Sequence, residues 1–148
     1  MFKGASFGIT NGIITILSIL VGMYSVNASK LSVIGAFLAI LISDPLSDAY
    51  AIYIAEKEQH DRAFDVFKHA FSSQFILQLI YLIIIVLSPT VKSAVIYSFI
   101  FSIISLLGYT YYKSLSLSNL LQNMIGISIL VIVTYTINQL VYKYYNKK

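Results

Sequence analysis

The stretch ISDPLSDAY at positions 42–50 sets two carboxylates, Asp44 and Asp48, four residues apart in otherwise apolar sequence. LSVIGAFLAIL runs up to it at 31–41 and AYAIYIA leads away from it at 49–55. Four-residue spacing places both acids on one face of a helix, one turn apart. The fold depends on whether 31–55 is a helix in water with an acidic patch or a helix in lipid with two acids near its centre.

Composition decides for lipid. Of the 148 residues, 58% are hydrophobic and 11% charged, and neither Cys nor Trp occurs. Mean hydropathy is +0.82, well above what a soluble domain of this size carries. The absence of Cys excludes a disulfide framework, a thiolate metal site and a cysteine nucleophile. A formal charge of +4 is spread over single Lys and Arg residues between apolar runs. It forms no basic stripe for nucleic acid, and anionic lipid is the better counter-charge.

Five runs come close to the length of about 20 residues that crosses a bilayer core: 7–26, 31–55, 70–87, 91–112 and 120–142. VNASK (26–30) and SPTVK (88–92) read as tight turns, KSLSLSN (113–119) as a polar hinge, and EKEQHDRAFDVFKH (56–69) as a charged linker. Short links make antiparallel neighbours, so the expected fold is all-α: a single transmembrane helical domain over 1–148 with five spans. The first span reads as a retained helix, since a lone Lys3 precedes it and no cleavage site leads into a soluble domain. The protein is expected to be a multi-pass integral membrane protein, in the plasma membrane if prokaryotic. Orientation is balanced: Lys3, Lys57, Arg62, Lys68 and Lys113 fall on one side and Lys30, Lys92, Lys143, Lys147 and Lys148 on the other. The positive-inside rule therefore selects neither sense of insertion.

Small residues mark the faces expected to meet other helices. Gly4, Gly8 and Gly12 recur every four residues, Asn11, Thr15, Ser18 and Gly22 form a second small or polar line, and Ser98, Ser102, Ser105 and Gly108 repeat the pattern later. Tyr109, Tyr111, Tyr112, Tyr142, Tyr144 and Tyr145 fall at span ends, where tyrosine anchors helices in the headgroup layer. No zinc-protease motif, phosphate-cradling glycine loop or nucleophile with its base is present. The chain therefore reads as a non-enzyme with no organic cofactor.

Asp44 lies within a residue or two of the centre of the second span and has no Lys or Arg at its level. A carboxylate there costs roughly 2.5–3.5 kcal/mol on insertion scales. Two of them require shared protons, a water path or a bound cation. Pro45 cannot donate a helical hydrogen bond and disfavours helix at the residue before it, so the span is expected to bend or break there and free carbonyls beside the acids. Ser43 and Ser47 offer further oxygens, or bond to their own helix. In the charged linker, Glu56 and His60 share one face and Asp61, Asp65 and His69 another. Such carboxylates and imidazoles can capture a divalent cation, and they can equally form an ordinary solvated connection.

The segments FGITNGIITILSILVGM (7–23) and GAFLAILISDPLSDAYAIYIAEKEQ (35–59) resemble the first two helices of the vacuolar iron transporter family. In that family an Asp-Gly pair opens the first helix, and the second carries Asp-Gly, then Ser-Met, then an acid-aromatic pair. The resemblance sets Asp44 on the second-helix Asp, Pro45 on its Gly, Ser47 on its Ser, Asp48 on its Met and Tyr53 on the aromatic. Asn11 takes the place of the first-helix Asp, with its Gly kept as Gly12. Two departures stand out: the first-helix acid is an amide and the second-helix Met is an acid. The family's cytosolic metal-binding helical region has no counterpart here. The resemblance implies a five-helix homodimer that moves a divalent metal ion as substrate, with Asn11, Asp44, Asp48 and Ser47 at the site, and the linker residues Glu56 and His60 stand where the family has its metal-binding region. It also implies a cytosolic amino terminus. Loss of the thioether favours harder ions such as Mn²⁺ or Mg²⁺ over Fe²⁺. The expected function is divalent metal transport coupled to protons, which the acid pair can exchange for a cation. The alternative is a non-transporting scaffold or accessory subunit whose carboxylates share protons at an oligomer interface.

Overall fold

The computed structural model describes residues 2–57, 62–112 and 117–146. They form five helices: α1 (Phe2–Ser25), α2 (Lys30–Lys57), α3 (Ala63–Leu87), α4 (Val91–Tyr112) and α5 (Leu117–Tyr145). All five are long and apolar enough to span a membrane. The shortest, α4, has 22 residues, about 33 Å at the usual rise per residue. The chain is an all-α, multi-pass integral membrane protein.

Local chemistry sets the turns. After α1, Asn27 adopts a left-handed conformation (φ 54°). The Ala28 N–H reaches the Met23 carbonyl at 3.0 Å and the Asn27 N–H reaches Tyr24 at 3.1 Å. This is a Schellman closure in which Asn takes glycine's usual place. Ser29 then caps α2 by accepting the Ser32 N–H at 3.1 Å. Before α4, Thr90 and Ser93 cap each other reciprocally: the Ser93 N–H donates to Thr90 Oγ1 and the Thr90 N–H to Ser93 Oγ.

α1 touches all four other helices, and α3 touches α1, α2 and α4. The α1–α3 pair is the axis of the bundle, with α2 on one side and α5 against α1 and α4 on the other. Ile13, Ile16, Leu17 and Leu20 of α1 meet Leu77, Tyr81 and Ile85 of α3 in the core, with Val33, Phe37, Ala94, Leu106 and Ile127 around them. Gly4 and Gly8 allow the close approach. A methyl group at Gly8 would strike the Ser73 hydroxyl and lie 2.5 Å from the Ala70 carbonyl oxygen, and one at Gly4 would strike the Val66 carbonyl. The expected helix contact at this glycine line is therefore made with α3 of the same chain.

Two expectations need correction. The linker expected over 56–69 is shorter: α2 extends to Lys57 and α3 begins at Ala63. Ala63, Val66 and Ala70 are buried where the glycines of α1 let the first turns of α3 lie down. Arg62, Asp65 and Lys68 are exposed, and Asp65 and Lys68 pair at 2.7 Å. Nor does α2 break at Pro45, which sits inside a continuous helix with its ring fully buried. Its local effect is that the Leu41 carbonyl receives no N–H from position 45.

Candidate site: an amide-bridged carboxylate pair

Asp44 and Asp48 lie on one side of α2, each half-buried, and turn toward α1 and α3. Gln74 and Gln78, one turn apart on the buried face of α3, lie opposite them, 0% and 1% exposed. Gln78 Nε2 donates to Asp44 Oδ2 at 2.6 Å. Gln74 Nε2 donates to both acids, at 2.9 Å to Asp44 Oδ2 and 2.7 Å to Asp48 Oδ2. From α1, Asn11 Nδ2 donates to the same Asp48 oxygen. Three helices thus converge on two carboxylate oxygens through three neutral amides. The positions that the sequence resemblance singled out on the first two helices, 11, 44 and 48, meet in space.

The electrostatics are unusual for a membrane interior. No basic side chain bonds to either acid among the described residues, so donor dipoles alone face the pair. Both glutamine carbonyl oxygens, Gln74 Oε1 and Gln78 Oε1, are buried with no hydrogen-bond partner among the described residues. A buried acceptor without a donor costs on the order of 1–3 kcal/mol. An amide has chemically opposite ends. With its NH₂ inward it suits an ionised carboxylate, and rotated about its last bond it offers a carbonyl to a protonated acid or a cation.

A shallow, open cleft of about 480 Å³ between α1 and α2 lies beside this pair and touches its network at Asn11. Ser6, Phe7, Thr10, Asn11 and Ile14 of α1 line it with Ile52 and Glu56 of α2. Glu56 follows Asp48 by two turns on the same face, about 12 Å along the helix, and Asn11 belongs to both the cleft and the acid network. Glu56 therefore stands at the outer part of the cleft.

The other candidates lie elsewhere. Ser47 is on the exposed side of α2 and donates to the backbone carbonyl of Asp44 at 3.1 Å, and Ser43 likewise donates to Ala39. Neither hydroxyl reaches an acid side chain. His60 and Asp61 lie outside the described residues. Asp65 faces outward, paired with Lys68. Among the described residues no group of three or more His, Asp or Glu side chains gathers. Sequence reasoning missed Gln74 and Gln78. The signal was there: two amides four residues apart in FSSQFILQLIYL (71–82) repeat the spacing of the acids.

No known family, curated protein or solved structure matches this chain. It is a five-helix membrane protein with a carboxylate and amide network consistent with a transport or proton-relay role.

Proposed function

We propose that this protein is a transporter, and not an enzyme, that exchanges protons for a divalent cation at Asp44 and Asp48. The observation that carries this reading is the acid pair, bridged by neutral amides at mid-helix, with Asn11 shared between it and an open cleft. Two carboxylates without a basic partner recover their desolvation by binding protons or a cation. Rotation of Gln74 and Gln78 would add two carbonyl oxygens to the carboxylates. That all-oxygen set suits a hard ion such as Mn²⁺ or Mg²⁺ better than a soft one. A divergent relationship to the vacuolar iron transporters fits the same residues, with Asp48 in place of the family's methionine.

The assembly we propose is a homodimer formed through α2. Gly35, Ala39, Ser43, Ser47, Ala51 and Ala55 recur every four residues along its length and all face outward. A small-residue ridge of this kind suits close helix contact in lipid. The scaffold alternative would set the acids at the interface between copies, whereas Asp44 and Asp48 turn inward to α1 and α3. Uptake of Mn²⁺ into vesicles containing the purified protein tests the proposal. Uptake driven by an opposing proton gradient, lost in Asp44→Asn and Asp48→Asn, is expected. Parent protein that moves no divalent ion under any gradient would leave the scaffold.

A further inference from the structure

The cleft lies beside the acid pair, toward Ser6 and Glu56, and a second line of buried polar groups runs the other way. On α3, Gln74, Gln78 and Tyr81 share the buried face, so Tyr81 stands one turn beyond Gln78 and away from the cleft. Tyr81 is fully buried among core residues, and its hydroxyl bonds to Ser102 Oγ of α4. Ser102 Oγ donates in turn to the Ser98 carbonyl at 2.8 Å. Ser98, one turn nearer the far end, is 0% exposed, and its Oγ has no hydrogen-bond partner among the described residues. Beside Ser102 is a cavity of about 20 Å³, also touched by Ser128. Its lining is almost wholly apolar and does not include Ser98, so water is called for instead by the unpartnered polar atoms of Ser98 and Gln78 themselves. At the far end Lys30 Nζ donates to the carbonyls of Val86 and Ser88 at 2.7 and 2.6 Å, marking where the bundle meets water again.

A helical bundle gains nothing from burying an unpaired glutamine carbonyl and an unpaired serine hydroxyl in a line with a tyrosine. Such groups are satisfied by water, and water between hydroxyls moves protons. We propose that Gln78, Tyr81, Ser102 and Ser98, completed by trapped water, form a proton-conducting branch between the acid pair and the end of the bundle opposite the cleft. Each hydroxyl accepts a proton on oxygen and releases its own to the next group or water, and must then rotate back, Ser102 from its bond to the Ser98 carbonyl, before the next proton passes. Gln78 relays nothing itself, and its Oε1 holds a water against Tyr81. The small cavity beside Ser102 is far too narrow for a hydrated metal ion, so the branch would carry protons alone and leave the cation to the side of Asn11 and the cleft. This inference rests on the transport reading and adds to it the route of the coupled proton.

The test uses the intact protein in phosphatidylcholine and phosphatidylglycerol vesicles loaded with a pH-sensitive dye, alongside calorimetric Mn²⁺ binding. Tyr81→Phe and Ser98→Ala are expected to bind Mn²⁺ as the parent does while Mn²⁺-evoked proton movement falls roughly tenfold or more. Ser98→Ala removes a hydroxyl that has no partner among the described residues, so a merely structural role predicts no loss of flux, and this variant carries the test if Tyr81→Phe folds poorly. Parent-like proton flux in Ser98→Ala would overturn the branch and leave the acid site standing. Loss of binding together with flux would also overturn it, by making these residues part of the cation site. A parent protein that neither binds nor moves Mn²⁺ would remove the transport reading, and the branch with it.

Discussion

Two lines of small residues look alike in this sequence and sit in opposite surroundings. Gly4, Gly8 and Gly12 of α1 press against α3, where even a methyl group at Gly8 would lie 2.5 Å from the Ala70 carbonyl oxygen. Gly35, Ala39 and Ser43 begin an equally regular line on α2, yet a Cβ at Gly35 would meet nothing within 4 Å. Spacing of small residues announces that a helix will be approached closely. Which helix does so is a matter of topology: α3 reaches the α1 line within the chain, and the α2 line is left for lipid or a second copy.

The largest expected effect comes from breaking the first line. Gly8→Leu drives a side chain into the backbone of α3 and should cost about 3 kcal/mol or more, seen as loss of folded protein or a much lower melting temperature in detergent. Next is the seam the glycines hold together. Gln74→Leu removes the donor shared by both acids and should cost about 2–3 kcal/mol. Asp44→Asn and Asp48→Asn keep an acceptor for these amides, and their melting temperature should match or exceed the parent's. The second line predicts a different phenotype. Ser43→Leu should leave the monomer's melting temperature unchanged and shift a dimer toward monomer by about tenfold or more in association constant, a change of roughly 1.4 kcal/mol, measured by sedimentation in detergent. An unchanged mass would assign the α2 face to lipid. The smallest effect belongs to a glycine with open space around it. Gly126→Ala, where a Cβ meets nothing within 4 Å, should stabilise α5 by about 0.5–1 kcal/mol, or less if lipid already stiffens the helix.

Much of this architecture is legible in sequence because lipid imposes a simple rule: apolar length and short links yield antiparallel spans. Harder to read is where a polar segment continues a helix. The first turns of α3 carry Asp65 and Lys68, which suggested a linker, but Ala63, Val66 and Ala70 bury beneath them because glycines on a distant segment make room. Of the bend or break expected at Pro45, the break is absent. Its local preference for a break loses to the burial of its ring and to the polar contacts on either side of it, which hold α2 as one helix. At the site, the acids were visible because charge is rare in such a chain. The glutamines were not, since neutral amides in an apolar run attract attention only once a carboxylate is known to face them.

The central claim is that Asp44 and Asp48 form a cation and proton site. Isothermal titration of Mn²⁺ into the parent, Asp44→Asn and Asp48→Asn proteins tests it most directly, with proton release recorded in buffers of different ionisation heat. The parent should bind Mn²⁺ with proton release, and each Asn variant, folded as well as the parent, should lose that binding and the release with it. Equal Mn²⁺ binding in all three proteins would contradict the claim and reduce the acid pair to a packing feature of the bundle.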